Sequence, residues 1–255
     1  MNWSEPAFIL SFRAHGEWDA VVSVFSHGQG RYLGLVRGGQ SSKHKNQWQP
    51  GHLAKVNWRA RLFEHLGFFT GEAMRDYSAG ILHLPLALSA LSSACTLLDA
   101  ATPERMALPD LFDAFQALLP LDEGEDDLAR YVRFEAAVLK ALGYGLDLSS
   151  CALTATTRDL CYISPKTGRA VNKDAAAPWA QRLLPLPEFL RDAKIIPALH
   201  DVFDGLQVTG HFLENHVFAN LPAGALAAVK ARRQRLIDLL EIKKVSGLRA
   251  DEVAK

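Results

Sequence analysis

A chain of 255 residues and 28.0 kDa, with 28 basic against 28 acidic side chains, carries no formal net charge. Hydrophobic residues make up 49% and charged residues 22%, which excludes global disorder, and the length corresponds to one large domain or two small ones. A net charge of zero argues against attachment to a polyanion by overall charge. No run approaches the roughly 18 apolar residues of a membrane helix. The opening Met-Asn-Trp-Ser-Glu-Pro has no basic segment, so no secretory signal and no membrane association are expected. The three cysteines (Cys95, Cys151, Cys161) are odd in number and widely spread, which predicts a reducing cytoplasmic or nuclear setting.

In chain order, residues 7–13 and 20–25 read as strands separated by His15-Gly16-Glu17, and 31–37 follows the turn His27-Gly28-Gln29-Gly30. A polar loop with Lys43 and Lys45 comes next. Residues 54–59 alternate, placing Ala54, Val56 and Trp58 on a core face and Lys55, Asn57 and Arg59 outside. A fifth strand is expected over about 62–72. Five short strands at hairpin spacing predict a small antiparallel barrel. After residue 78 the period becomes helical: an Ala- and Leu-rich stretch to Leu98, then 109–119, then 128–142 with Gly143 as a stop signal. Residues 149–175 return to strands, with a hairpin through Ser164-Pro165-Lys166-Thr167-Gly168. Helices are expected around 187–205, 206–219 and 222–243. The organisation is therefore α+β, with a barrel over 1–78 and a helical domain over 79–255 that contains the 149–175 β insertion.

Regional charge revises the opening argument. Residues 1–65 carry eight basic against four acidic groups, a net +4; residues 66–130 carry three against eleven, a net −8; the remainder is +4. Neutrality is a cancellation between regions. A basic barrel containing Tyr32, Trp48 and Trp58 has the two ingredients of single-strand binding, cations for phosphates and rings for bases. The same rings also serve as the core of any such barrel, and composition does not choose between these uses.

Several stretches together resemble the bacterial RecO recombination mediator family, in its alphaproteobacterial branch. They are His15-Gly16-Glu17, Gly34-Leu35-Val36-Arg37-Gly38-Gly39, Gln49-Pro50-Gly51, Trp58-Arg59-Ala60-Arg61-Leu62, Tyr131-Val132-Arg133-Phe134-Glu135, Leu142-Gly143-Tyr144-Gly145-Leu146-Asp147-Leu148, Cys151-Ala152 and Ser164 to Val171. They fall in the family's order over roughly residues 5–200. The resemblance implies an N-terminal OB-fold barrel and a helical domain with a small zinc-ribbon-like insertion. It implies a non-enzymatic protein that binds single- and double-stranded DNA, anneals complementary strands, interacts with RecR and with the C-terminal tail of SSB, and helps load RecA, in the cytoplasm at the nucleoid. Carried onto this chain, DNA-binding positions are Arg13, Arg31, Arg37, Lys43, Lys45 and Arg59. An acidic, aromatic-ended SSB tail needs a cation beside an apolar pocket, which on helix 128–142 points to Arg130, Arg133, Leu139 and Leu142. The alternative is a general single-stranded DNA- or RNA-binding OB protein with a helical interaction module.

Many relatives carry two Cys-x-x-Cys pairs in the ribbon, a tetrahedral metal signature. Here Thr154 stands where the partner of Cys151 belongs, and Arg169-Ala170-Val171-Asn172 replaces the second pair, so no metal and no cofactor are expected. Gly28-Gln29-Gly30 precedes a strand and reads as a turn, not as a dinucleotide loop. His211 and His216 lack metal-pair spacing, and the acidic run from Asp122 lacks that of a calcium loop. No set of acid, base and nucleophile survives this reading. The basic cluster Arg232-Arg233-Gln234-Arg235 remains open between a second DNA face and ordinary surface.

Overall fold

Beginning at Asn2, one unusually long strand organises the N-terminal part. The computed structural model describes residues 1–41, 46–62, 64–121 and 126–253. Lys43, Lys45 and the start of the acidic run lie outside the described residues. Strand β1 (Asn2–His15) pairs along its first half with β4 (His52–Arg59) and along its second half with β2 (Asp19–Ser26). One strand thus serves two neighbours, with a bulge between Ile9 and Ser11 that bends it. β3 (Gly30–Val36) pairs with β2, and β5 (Phe68–Asp76) pairs with β4. A parallel contact of Leu35 with Phe68 closes the order β1-β2-β3-β5-β4 into a barrel. The fifth strand begins at Phe68, not near 62, because Leu66 and Gly67 return across the barrel end to Trp58 and Leu35.

The alternation over 54–59 holds residue by residue: Ala54, Val56 and Trp58 are buried while Lys55, Asn57 and Arg59 are exposed. The barrel interior is aromatic. Trp58 lies edge-on to Tyr32 at 5.3 Å, Trp3 is edge-on to Tyr32 at 5.2 Å, and Trp48 stacks on Phe69 at 6.2 Å. Trp48, Trp58 and Tyr32 are therefore core residues, which removes them as base-stacking surfaces.

Residues Ala7 to Leu10 do not alternate, being buried on both faces. The outward Phe8 packs on Phe112 (5.3 Å) and Phe115 (4.9 Å) of helix α2 (Pro109–Leu118). Helix α1 (Pro85–Ala101) packs against the C-terminal helix α5 (Ala223–Val253), which buries Val229, Leu236 and Leu240. The chain divides into two compact units, Met1–Glu123 with Ala223–Lys255, and Gly124–Pro222. The change of texture at residue 78 thus marks the passage from strand to helix, whereas compactness divides the chain elsewhere.

The second unit pairs α3 (Asp127–Ala141) with α4 (Leu199–Phe212), next to a three-stranded sheet β7-β6-β8 made of Leu160–Ile163 (β6), Ala170–Asn172 (β7) and Leu184–Pro185 (β8). Between the two helices, the buried Glu135 accepts hydrogen bonds from Tyr131 Oη (2.9 Å) and from the Thr209 hydroxyl. The helix expected from 187 does not form. Pro187 and Pro197 interrupt it, leaving a short turn at Glu188–Leu190 and delaying α4 to Leu199. No helix among the described residues is long and apolar enough to cross a membrane.

Candidate nucleic-acid interface

Where β3, β4 and β5 meet, Leu66 and Gly67 fold back over Trp58, whose indole Nε1–H donates to Leu66 O at 3.0 Å. Gly67 makes this approach possible. Its φ is +71°, and a Cβ there would sit 2.3 Å from Trp58 Nε1. Gly67 O then accepts from Leu35 N–H at 3.0 Å, which sets Phe68 at the start of β5. Of the adjacent Phe68 and Phe69 only one can face inward. Phe69 fills the core, and Phe68 is left 42% exposed.

The Arg37 guanidinium covers this ring at 4.5 Å from its centroid. Arg59 lies opposite Phe68 in the β4–β5 register. Arg59, Arg61, His65, Phe68 and Met1 line a cleft of about 490 Å³. Among the described residues, Arg37, Arg59 and Arg61 have no carboxylate partner. Arg105 reaches the same end of the barrel, lying over Tyr32 (5.4 Å) and Trp58 (5.9 Å) and donating to His65 O at 3.0 Å. Trp18, in the β1–β2 turn, is 72% exposed, and its carbonyl accepts from Gln40 N–H at 3.0 Å. The geometry combines uncompensated cations with accessible aromatic surface, the chemistry that holds phosphates and stacks bases.

The other barrel arginines are placed differently. Arg31 is 13% exposed; its Nε donates to Thr102 O at 2.9 Å and its guanidinium lies 3.7 Å from Asp99 and 3.6 Å from Glu104. It ties residues 99–105 to β3, so its charge is consumed within the fold. Arg13 is mostly exposed but sits 3.6 Å from the same Asp99. Part of the acidic middle segment, Asp99 and Glu104, is therefore turned toward barrel cations.

The four residues read as an SSB-tail site do not converge on an open pocket. Leu139 is 0% exposed and belongs to the core of its unit, and Leu142 is half-buried as the C-cap of α3. Arg133 donates to the carbonyls of Phe189, Ala193 and Ile195 at 3.1–3.2 Å and pairs with Asp126. Arg130 pairs with Asp126 and Asp127. Both arginines hold neighbouring loop and helix-end groups in place.

In the strand insertion, the Cys151 thiol is buried, accepts from Asn172 N–H at 3.4 Å, and lies 3.5 Å from Asn172 Oδ1. Burial would raise its pKa, but hydrogen bonds from the Thr154 hydroxyl and the backbone N–H groups of Asn172, Leu153 and Thr154 outweigh that and bring it to about 7. Cys161 is exposed and bonds to Asp159 O.

A larger cleft of about 680 Å³ in the first unit, walled by Phe12, Leu88, Leu91 and Cys95, has Arg232 at its edge. It contains Ser78, His52 and Asp76, which invites a catalytic reading. However, Ser78 Oγ (2.8 Å) and His52 Nε2 (3.0 Å) both meet the same carboxylate oxygen, Asp76 Oδ1. A nucleophile relay needs the carboxylate on the far nitrogen of the ring. Burial raises the Asp76 carboxyl, yet bonds from the Ser78 hydroxyl and the Ala79 and Ser78 N–H groups, with His52 beside it, hold it below its usual value. This is the signature of a turn cap.

Comparison with known proteins decides the family. Residues 1–77 match the family model described as recombination protein O N terminal, and residues 83–224 match recombination protein O C terminal. This chain belongs to the RecO family. It is 42% identical over 247 residues to the DNA repair protein RecO of Rhodospirillum rubrum, covering 94% of this chain and 96% of that one. It is 45% identical over 240 residues to that of Rhodospirillum centenum (93% and 94%) and 44% identical over 242 residues to that of Dinoroseobacter shibae (94% and 98%). RecO membership assigns the chain to DNA repair and recombination. Sequence reasoning missed Phe68, Arg61 and Trp18 as exposed members of the barrel surface, and the half-buried Arg105 that reaches it. The doublet Phe68-Phe69 was a usable signal, because one ring of an adjacent pair in a strand must face outward.

Proposed function

We propose that this RecO protein is a recombination mediator without covalent chemistry, acting on DNA at gaps and breaks. In this reading it binds single- and double-stranded DNA, anneals complementary strands and, together with RecR, helps load RecA onto single strands coated by SSB. It works in the cytoplasm on nucleoid DNA. The observation that carries the reading is the Arg37–Phe68 pair beside Arg59 and Arg61: three uncompensated cations and an accessible ring on one barrel end. Such contacts provide affinity without sequence choice, which a protein acting at any gap requires. Arg13, exposed but beside Asp99, is a secondary contact in this reading, whereas Arg31 serves the fold rather than DNA. For the SSB tail, the reading keeps the helical part of the chain but not the fully buried Leu139 as a pocket wall.

The test is annealing of complementary oligonucleotides pre-coated with SSB. The wild-type protein accelerates it, and a folded Arg37→Glu/Arg59→Glu/Arg61→Glu variant does not. Wild-type annealing by that variant overturns the assignment of the barrel surface. A wild-type protein that merely displaces SSB, without annealing through it, supports the alternative of a general single-strand binder.

A further inference from the structure

The second unit contains a separate aromatic stack that the barrel reading does not use. Helix α3 ends in a Schellman motif: Gly143, at φ +89°, donates to Lys140 O (3.1 Å), and Tyr144 N–H donates to Leu139 O (2.8 Å). This cap fixes the direction in which Tyr144 leaves the helix. On the facing element, α4 passes into a π-helical turn, Leu213–Val217, a local form that recurs at functional sites. His216 projects from that turn and stacks under Tyr144, with ring centroids 4.7 Å apart and 12° between planes. Phe212 continues the stack below His216, at 6.1 Å and 14°.

Three nearly parallel rings thus lead from the buried Phe212 to Tyr144, which is 40% exposed. The stack is braced from the side. The His211 ring bonds Pro165 O at 3.0 Å, Asn220 Nδ2 donates to His216 O at 2.8 Å, and a Cβ on Gly168 would lie 3.6 Å from the Phe212 ring. These contacts place the hairpin turn with the exposed Lys166 beside the stack. On the other side, the stem of Lys140 runs against Gly145, where a Cβ would meet Lys140 Cγ at 3.3 Å. Of the nearby acids, Asp147 is paired with Arg169 at 3.2 Å, and Glu214 is exposed on the π turn.

We infer that Tyr144, backed by His216 and Phe212, is a second stacking platform that takes an unpaired base of a single-stranded nucleic acid, with Lys140 and Lys166 serving its phosphates. A flat, pre-ordered ring costs little to organise, and every base offers a face to it, so the platform is sequence-tolerant. A peptide side chain would need an enclosing apolar wall, whereas Tyr144 is 40% exposed and the elements that brace the stack carry the exposed Lys140 and Lys166. The site lies in the unit that does not contain the barrel, so it adds a contact to the DNA path rather than restating the first.

The test uses the full chain and fluorescein-labelled oligothymidylate, with an abasic strand of equal length and a blunt duplex as controls. Tyr144→Ala is expected to weaken oligothymidylate binding by about five-fold or more, while abasic-strand and duplex affinities stay at wild type. Tyr144→Phe is expected to bind as wild type, and a 5-iodouracil strand to cross-link to the peptide containing Tyr144. Oligothymidylate affinity within about two-fold of wild type in a folded Tyr144→Ala protein overturns the inference. Equal losses on normal and abasic strands overturn it as well. Loss of the barrel contacts lowers affinity for all three substrates, so the two readings fail in distinguishable ways.

Discussion

On the proposed reading, replacing Arg37, Arg59 and Arg61 together with alanine separates the electrostatic part of DNA binding from stacking. Each cation–phosphate contact on a single strand contributes about 0.7 to the slope of log Kobs against −log[salt]. Three contacts therefore account for a slope of about 2 and, at 0.1 M salt, for about a hundred-fold in affinity, or about 2.8 kcal/mol. The fold should tolerate the change, since the three side chains are exposed and lack carboxylate partners among the described residues. The contact of Arg37 with Phe68 at 4.5 Å is worth about 0.5–1 kcal/mol at an exposed site. Phe68→Ala is the complement: it should weaken binding by about 1–3 kcal/mol and leave the salt slope at the wild-type value. The assay is fluorescence anisotropy with a labelled oligothymidylate from 50 to 300 mM salt (about the range over which such slopes are measured). A triple variant with the wild-type slope would refute the reasoning, because the barrel cations would then not meet phosphates. A Phe68→Ala slope reduced by 1 or more (roughly one phosphate contact) would refute the division of roles.

Three further outcomes follow from the same geometry. Arg31→Ala should destabilise the first unit by about 3 kcal/mol in urea unfolding, because it strands the mostly buried Asp99 and frees Thr102 O, whereas Arg37→Ala should cost about 1 kcal/mol or less. Gly67→Ala should cost about 1–3 kcal/mol or more, combining a left-handed φ of +71° with a 2.3 Å approach to Trp58 Nε1, and should blue- or red-shift the emission of the displaced indole. Thiolate absorbance near 240 nm (roughly the usual thiolate band) should titrate with a midpoint of about 7, vanish in Cys151→Ser and move upward in Thr154→Val. Because the folded value lies below the ordinary 9.0, the native state favours the thiolate. Its contribution to stability is complete above about 9 and is lost as pH falls through about 7.

The legibility of the fold follows from burial. Residues 54–59 could be read from sequence because their strand has one wet face and one dry one, which writes itself as alternation. Residues 7–10 carry no such pattern, since α2 covers the outer face of the barrel there and both sides are apolar. The helix expected from 187 fails because Pro187 and Pro197 lack a backbone donor and bias the residues before them away from helical geometry, so only a short turn forms between them. The family signature survives such errors because it rests on local runs such as Gly34 to Gly39 and Leu142 to Leu148, which do not depend on knowing what packs where.

The site residues depend on tertiary structure in a different way. Arg31 and Arg37 are six positions apart on or beside one strand and are chemically identical. What separates them is Asp99, Glu104 and the Thr102 carbonyl, the last 71 residues away along the chain, which neutralise one arginine and leave the other to solvent. Likewise Leu139 and Arg133 have the right chemistry for a peptide pocket, but α4 and the loop before it occupy them. The sequence by itself determined the α+β organisation, the basic N-terminal quarter and the RecO family, because local period, regional charge and short motifs are properties of neighbours along the chain. Only the tertiary structure decided which cations and rings remain exposed, because a charge or a face is cancelled by whatever folds against it.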